Sequence, residues 1–448
     1  MNAVAPPFSI ANIRLFIAFR IFFNARFYYP VFTILFLDYG LTIEQFSLLN
    51  TVWAITIVMT EVPSGAMADI FGRKALIVIT SFLMVFEMLV IAFVPLGNSN
   101  IIFWSFFINR VLSGLAEAMA SGADEAIAYD SLIEEGTPDD WPKVLSLQMR
   151  LRSVASVITM TVGALIYDPG IINRILGWFG SSFAVNQQIT MRFPIYLTLI
   201  LAILACITAL KMQEPGRKEK QEKKYSINKA SSLTWQAGKW IAKTPFALAV
   251  ILLGMCFDHI LRLTVTMTSQ YSRLINLPEA SFGLIGSAIA LLGLVVPQIA
   301  EQMVIRFSPA QNMIWVTLIS LTGLFGLTGF FPYIGILPMA LIFVALMLVS
   351  FFTSHYLNEI TDSNQRATVL SFKGLAFNLA YGAIGILFAL LIQFQRQQTL
   401  SSHPELQQDI INNIAFRASV GWFPWYTIIA LGTVILYCGY RLTQTSCK

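Results

Sequence analysis

Charge is what this 448-residue chain has least of. Asp, Glu, Lys and Arg supply 12% of it, about half the share of a soluble domain, roughly 25%. That scarcity excludes a fold solvated by water over most of its surface. The formal net charge is only +5, so no nucleic-acid partner is expected. Four cysteines (Cys206, Cys256, Cys438 and Cys447) are scattered without metal-ligand spacing, and there are only three histidines. Neither a disulfide framework nor a metal site follows. The chain also lacks a nucleotide-binding motif and a nucleophile–base constellation. No cofactor is therefore expected, and an enzyme is disfavoured. Residues 1–12 are short and uncharged, and the apolar run after them continues at spanning length, so no cleavable signal is expected. No Asn-x-Ser/Thr sequon occurs, which favours a bacterial inner membrane.

Apolar sequence is what the chain has in abundance. Hydrophobic residues make up 56% and the mean hydropathy is +0.69. A spanning helix needs about 20 mostly apolar residues. Twelve stretches qualify: 13–37, 45–67, 74–95, 101–131, 144–166, 191–211, 246–273, 281–304, 311–331, 335–358, 367–392 and 419–440. The fold class expected is an all-α membrane protein of twelve transmembrane helices in a lipid bilayer. One strongly hydrophilic stretch, 212–244, separates the sixth from the seventh. It contains Pro215-Gly-Arg-Lys-Glu-Lys-Gln-Glu-Lys-Lys224, and Trp235 and Trp240 near its end suggest an amphipathic piece at the lipid interface. Residues 1–211 and 245–448 then form two membrane domains joined by a basic linker. Lys and Arg gather in the linker and the 2–3 loop, which places both termini in the cytoplasm.

The run Gly65-Ala-Met-Ala-Asp69-Ile-Phe-Gly72-Arg73-Lys74 reads as a tight, basic turn between two spans. Its glycines permit close approach and sharp reversal. This Gly-x-x-x-Asp-x-x-Gly-Arg-Lys pattern resembles the loop between the second and third helices of the major facilitator superfamily of transporters. Arg366-Ala-Thr-Val-Leu-Ser371 also looks like bacterial members. The halves show a weak repeat. Leu41-Thr-Ile-Glu-Gln-Phe46 answers Leu277-Pro-Glu-Ala-Ser-Phe282, and Val62-Pro63 answers Val296-Pro297. The resemblance implies two six-helix bundles that rock about a midplane site. It also implies a latch in which Asp69, Arg73 and an acid ending the fourth helix, best Asp130, form a charge relay favouring the outward-facing state.

Ionisable groups inside spans are costly and usually face a cavity or a partner. Arg110, Glu117 and Asp124 recur every seven residues of the fourth span and share a face. Arg110-x-x-x-Gly114 resembles the superfamily's helix 4 motif, linked to proton coupling. Glu117 is read either as a proton carrier or as half of a fixed salt bridge, with Asp124 second. The family's cavity is lined by helices 1, 4, 7 and 10. The candidates there are Arg20 and Asn24, then Asp258 and Arg262, expected to pair, then His355 and Glu359. Arg14 and Arg26 lie nearer the ends of the first span and read as snorkelling cations; Glu87 reads as structural or interfacial. The glycine-rich helix 5 of drug–proton antiporters is reduced here to Gly163. The expected activity is proton-driven export of a small organic molecule. The alternative is uptake or export of an anionic metabolite, such as a polycarboxylate or siderophore, which the arginines would suit. A monomer is expected.

Overall fold

The computed structural model of this chain describes residues 6–120, 123–180, 183–215, 235–236, 238–361 and 363–446. Among the described residues there are helices and connecting turns but no strand. Eleven helices are long and apolar enough to cross a bilayer. A broken first span, Ala11–Asn24 followed by Phe32–Asp38, makes the twelfth.

The second to sixth spans are Ile43–Phe71, Arg73–Ala92, Ser99–Ala120 continued by Ala123–Glu135, Trp141–Tyr167, and Phe193–Lys211. The seventh is Pro245–Thr266 continued by Thr268–Leu274. The eighth to tenth are Ser281–Arg306, Pro309–Thr328 and Ile336–Ile360. The eleventh is Ser363–Ser402, and the twelfth is Phe423–Ser446, preceded by Gln408–Val420. Spans 1–6 pack among themselves, as do spans 7–12. The two bundles meet where the second span lies on the eleventh and the fifth on the eighth.

One face carries the start of the first span and the end of the sixth. There the Asn12 side-chain amide donates to the Gln213 carbonyl and accepts from the Gln213 N–H, both at 2.9 Å. We call it the terminal face, and its opposite the distal face.

Three sequence expectations need correction. The first span is not continuous. Pro30 has no N–H and its ring clashes with the preceding turn, so the helix stops at Asn24 and resumes at Phe32. The Gly65–Lys74 run is not a loop. The second span stays helical through Phe71 and the third starts at Arg73, leaving Gly72 alone as the turn. Gly72 sits at φ +92°, a conformation that side-chain-bearing residues rarely adopt. The eleventh helix runs 40 residues, about 60 Å at 1.5 Å per residue, roughly twice the hydrocarbon thickness. Hydropathy falls at Gln393 because the helix leaves lipid there, not because it ends. Its distal extension is held by Arg396, 3.3 Å from Glu44.

The core is densely aromatic. Phe36 packs on Phe106 and Phe46 with ring centres 4.5 and 5.1 Å apart, joining the first, fourth and second spans. Large exposed apolar side chains such as Met59, Phe86, Trp104, Leu294 and Leu436 face outward, the surface that lipid covers. Most of the basic linker, 216–234, lies outside the described residues. Near its end Trp235 is exposed, whereas Ile241 is buried and Trp240 packs on the core.

Candidate functional site

A cavity of about 370 Å³ lies between the bundles. Both contribute to its wall: Tyr28, Trp53, Arg110 and Glu117 from the first half, Arg262 and Tyr381 from the second. The break in the first span shapes it. The Phe27 N–H, freed from the helix, donates to the Thr198 hydroxyl at 3.1 Å. The fifth span approaches this segment so closely that a Cβ on Gly163 would lie 1.8 Å from the Phe27 carbonyl oxygen. Gly163, the one glycine left in that stretch of the fifth span, is thus required by contact with the broken backbone.

Three arginines line the cavity. Arg26 is buried and its Nη1 donates to Glu87 Oε1 at 3.0 Å. Glu87 is fully buried on the third span, and its other oxygen has no hydrogen-bond partner. Arg110 is also buried. It donates to Asn109 Oδ1 at 3.1 and 2.9 Å and stacks over the rings of Phe32 and Phe36. Among the described residues it has no carboxylate within ion-pair distance. Arg262 pairs with Asp258 one helical turn away, donates to Asn378 Oδ1 at 2.8 Å and lies over the Tyr381 ring.

Of the six residues expected in the cavity, Arg262 lines it; Arg20, Asn24, Asp258, His355 and Glu359 are not among the lining residues. Arg20 instead reaches Asp124 and Glu125 of the fourth span. Asn24 donates back to the Arg20 carbonyl of its own helix at 2.8 Å. His355 and Glu359 stand exposed, 3.9 Å apart, toward the terminal face. The heptad stripe of the fourth span divides. Arg110 and Glu117 face the cavity, whereas Asp124 is taken by Arg20, which a single-helix projection does not reveal. Arg26 is not a snorkelling cation. The helix break holds it deep, beside Glu87. These two, with Tyr29 and Tyr381, are the residues sequence reasoning missed, whereas Tyr28, four residues after Asn24 on the same stripe, does line the cavity. Pro30 within an apolar run that also carries Arg26 was the available signal.

At the 2–3 turn, Arg73 pairs with Asp130. The Glu214 carboxylate accepts from the backbone N–H groups of Arg73 and Lys74 at 3.1 and 2.7 Å. It thereby caps the otherwise unpaired start of the third span. Gly65 belongs to the helical second span, and the side chain of Asp69 lies outside the described residues.

The distal side of the cavity is sealed. The Thr33 and Ile34 N–H groups, free at the start of the resumed first span, donate to Ser269 Oγ at 3.0 and 3.2 Å. The Thr33 hydroxyl donates to the Thr266 carbonyl, where the seventh span itself breaks. Above them Arg273 grips Asp38 through two hydrogen bonds of 2.9 Å and Glu279 at 2.6 Å, and Tyr167 donates to Asp38. Burial pushes the Glu279 carboxyl above the usual carboxylate range. Ser47 and Thr51 of the second span donate to the Gly385 and Gly382 carbonyls of the eleventh at 2.7 and 3.0 Å. The bonds of Thr33 and Ile34 to the seventh span, of Arg273 to Asp38, and of Ser47 and Thr51 to the eleventh span join one bundle to the other, while Glu279 and Tyr167 hold Arg273 and Asp38 from within their own halves.

Two helical bundles around a largely apolar cavity that carries a few charged groups and is sealed at one face have the architecture of a membrane transporter. The profile of the Major Facilitator Superfamily matches residues 14–389, and the chain belongs to that family. It is a multi-pass secondary transporter and not an enzyme. Solved structures with the same fold include the nucleoside transporter NupG (12% identity, 97% of this chain and 99% of that one, TM-score 0.72). A bacterial homolog of the human lysosomal transporter Spinster, inward-facing and unoccupied, matches at 14% identity, with 98% and 99% covered and a TM-score of 0.71. A D-xylose–proton symporter matches at 14% identity, 95% and 96%, TM-score 0.64. No curated protein matches in sequence.

Proposed function

We propose that this transporter moves a small organic anion, coupled to protons, through the cavity between its halves. Residues 1–211 and 245–448 are the moving units. The Lys/Arg bias supports a bacterial inner membrane with both termini and the 212–244 linker cytoplasmic, so the state described is closed to the outside.

One observation carries the reading. Arg110 is a buried cation on the cavity wall, held by an amide oxygen and two aromatic faces, with no carboxylate in contact among the described residues. A buried ion without a counter-ion costs several kcal/mol, of the order described for unpaired interior charges. A substrate anion removes that cost. The surrounding Tyr28, Phe32 and Trp53 suit an apolar body attached to the charge. The expected proton-driven export of a small organic molecule leaves charge open, and the anionic alternative has the stronger support here. Glu117 is the exposed carboxylate of the cavity, placed to pass protons to and from water. Asp69, Arg73 and Asp130 act as a brace at the 2–3 turn, which the Arg73–Asp130 pair supports.

Counterflow in proteoliposomes tests this. Vesicles preloaded with unlabelled organic acids should accumulate the labelled one that is substrate. Arg110→Gln should weaken apparent affinity about 10- to 100-fold, equivalent to about 1.4–2.7 kcal/mol. Counterflow confined to neutral or cationic solutes, and indifferent to Arg110→Gln, would contradict the anion reading.

A further inference from the structure

The buried charges of the first half do not balance. Arg26 and Arg110 are two guanidiniums at one end of the cavity, and Glu87 is the one buried carboxylate beside them. Glu87 touches Arg26 directly and feels Arg110 from further away. It is tied to the fourth span a second time, because the Asn109 amide donates to the Glu87 backbone carbonyl at 2.9 Å while accepting from Arg110. The charged and titratable groups around Glu87 are Arg26, Tyr28 and Tyr29 of the broken first span, and Arg110 and Glu117 of the fourth. Ser113, a cavity-wall hydroxyl, lies beside it.

We infer that Glu87 is the proton-binding site of the transport cycle, because its carboxylate competes with the transported anion for Arg26 and Arg110. The inference rests on the anion reading above and assigns the coupling to a residue that faces the cavity only through Arg26. The physics is that of two anions sharing one pair of cations. When Glu87 is ionised it holds Arg26, Arg262 is held by Asp258, and Arg110 is left as the cavity arginine without a carboxylate in contact among the described residues. A proton delivered from cavity water past the Ser113 hydroxyl onto the Glu87 oxygen that Arg26 does not hold neutralises the carboxyl. Arg26 is then left unpaired on the cavity wall, and a substrate carboxylate meets two guanidiniums instead of one. By linkage, the bound anion in turn favours the proton on Glu87 by the same factor. Release of one on the far side weakens the hold on the other, so anion and proton cross together in a one-to-one, electrically neutral step. Glu117, exposed to the cavity, serves as a relay and not as the store.

The test reads the carboxyl itself and needs no substrate. Full-length protein is reconstituted in lipid vesicles, and the protonated-carboxyl C=O stretch is followed by infrared difference spectroscopy at neutral pH. Arg26→Gln takes away the direct counter-ion, as a bound anion would. It should raise a protonated-carboxyl band that the wild type lacks and that Arg26→Gln/Glu87→Gln loses. No band in Arg26→Gln, or a band that persists in the double variant, overturns the assignment. If Arg26→Gln does not fold, wild type and Glu87→Gln are compared during acidification. The wild type should gain a band absent from Glu87→Gln, and identical spectra overturn the proposal. Failure of the anion reading would show in counterflow with Arg110→Gln and leave these spectra unchanged, so the two failures are distinguishable.

Discussion

Each half of the molecule places one arginine–carboxylate pair at the cavity, and the two are built differently. In the first half Arg26 comes from the broken first span and Glu87 from the third, and the pair is almost wholly buried. In the second half Arg262 and Asp258 lie one turn apart on a single helix, with Arg262 a quarter exposed and held also by Asn378 and Tyr381. A same-helix pair forms with the helix and survives any movement of it. A cross-span pair depends on how two helices sit and on what else competes for its cation. The first half therefore carries the switch, and the second a fixed anchor.

Breaking each pair should expose the difference. Arg26→Ala leaves Glu87 buried and unpaired and should cost about 3–5 kcal/mol of stability, read as a lowered unfolding midpoint in detergent. Arg26→Gln with Glu87→Gln should recover most of that, since two neutral groups need no counter-ion. Arg262→Ala should cost less, about 1.5–3 kcal/mol, the worth of hydrogen bonds to a charged group, because Lys373 lies near Asp258 and remains. If the two single losses are equal, the contrast between the halves is wrong.

A smaller effect belongs to the distal seal. Glu279, packed against Arg273 outside the spans, has its carboxyl raised by burial. A carboxyl raised in the sealed state binds its proton more tightly there than when exposed. Acidification through the carboxylate range therefore favours the seal, and the seal's penalty for an ionised Glu279 is fully present above that range. Cysteine accessibility of the distal half of the cavity should fall as pH is lowered, and Glu279→Gln should flatten that dependence. Accessibility that rises on acidification would reverse the sign.

The same contrast explains what was legible in the sequence. Spans show as apolar windows because lipid imposes a length, and Asp258–Arg262 shows because helical periodicity brings residues four apart together. Arg73 and Asp130 were associated only through a family resemblance. Arg26–Glu87 could not be read, since Arg26 looks like a helix-end cation until the break at Pro30 sets its depth. Asp38, Arg273 and Glu279 were invisible for a related reason. Asp38 lies 235 residues from Arg273, so the two meet only when the bundles close, and no local pattern records that. Arg20 was misplaced because a projection of one helix shows its face but not that Asp124 on another span already occupies it.

The central claim is that the first half couples proton to anion while the second only anchors. Vesicles containing a pH-sensitive dye, and an imposed gradient of the anion identified by counterflow, test it most directly. Wild type should carry protons with the anion. Asp258→Asn should still do so, whereas Glu87→Gln should move the anion with no accompanying protons. Proton movement that persists in Glu87→Gln and disappears in Asp258→Asn would contradict the account.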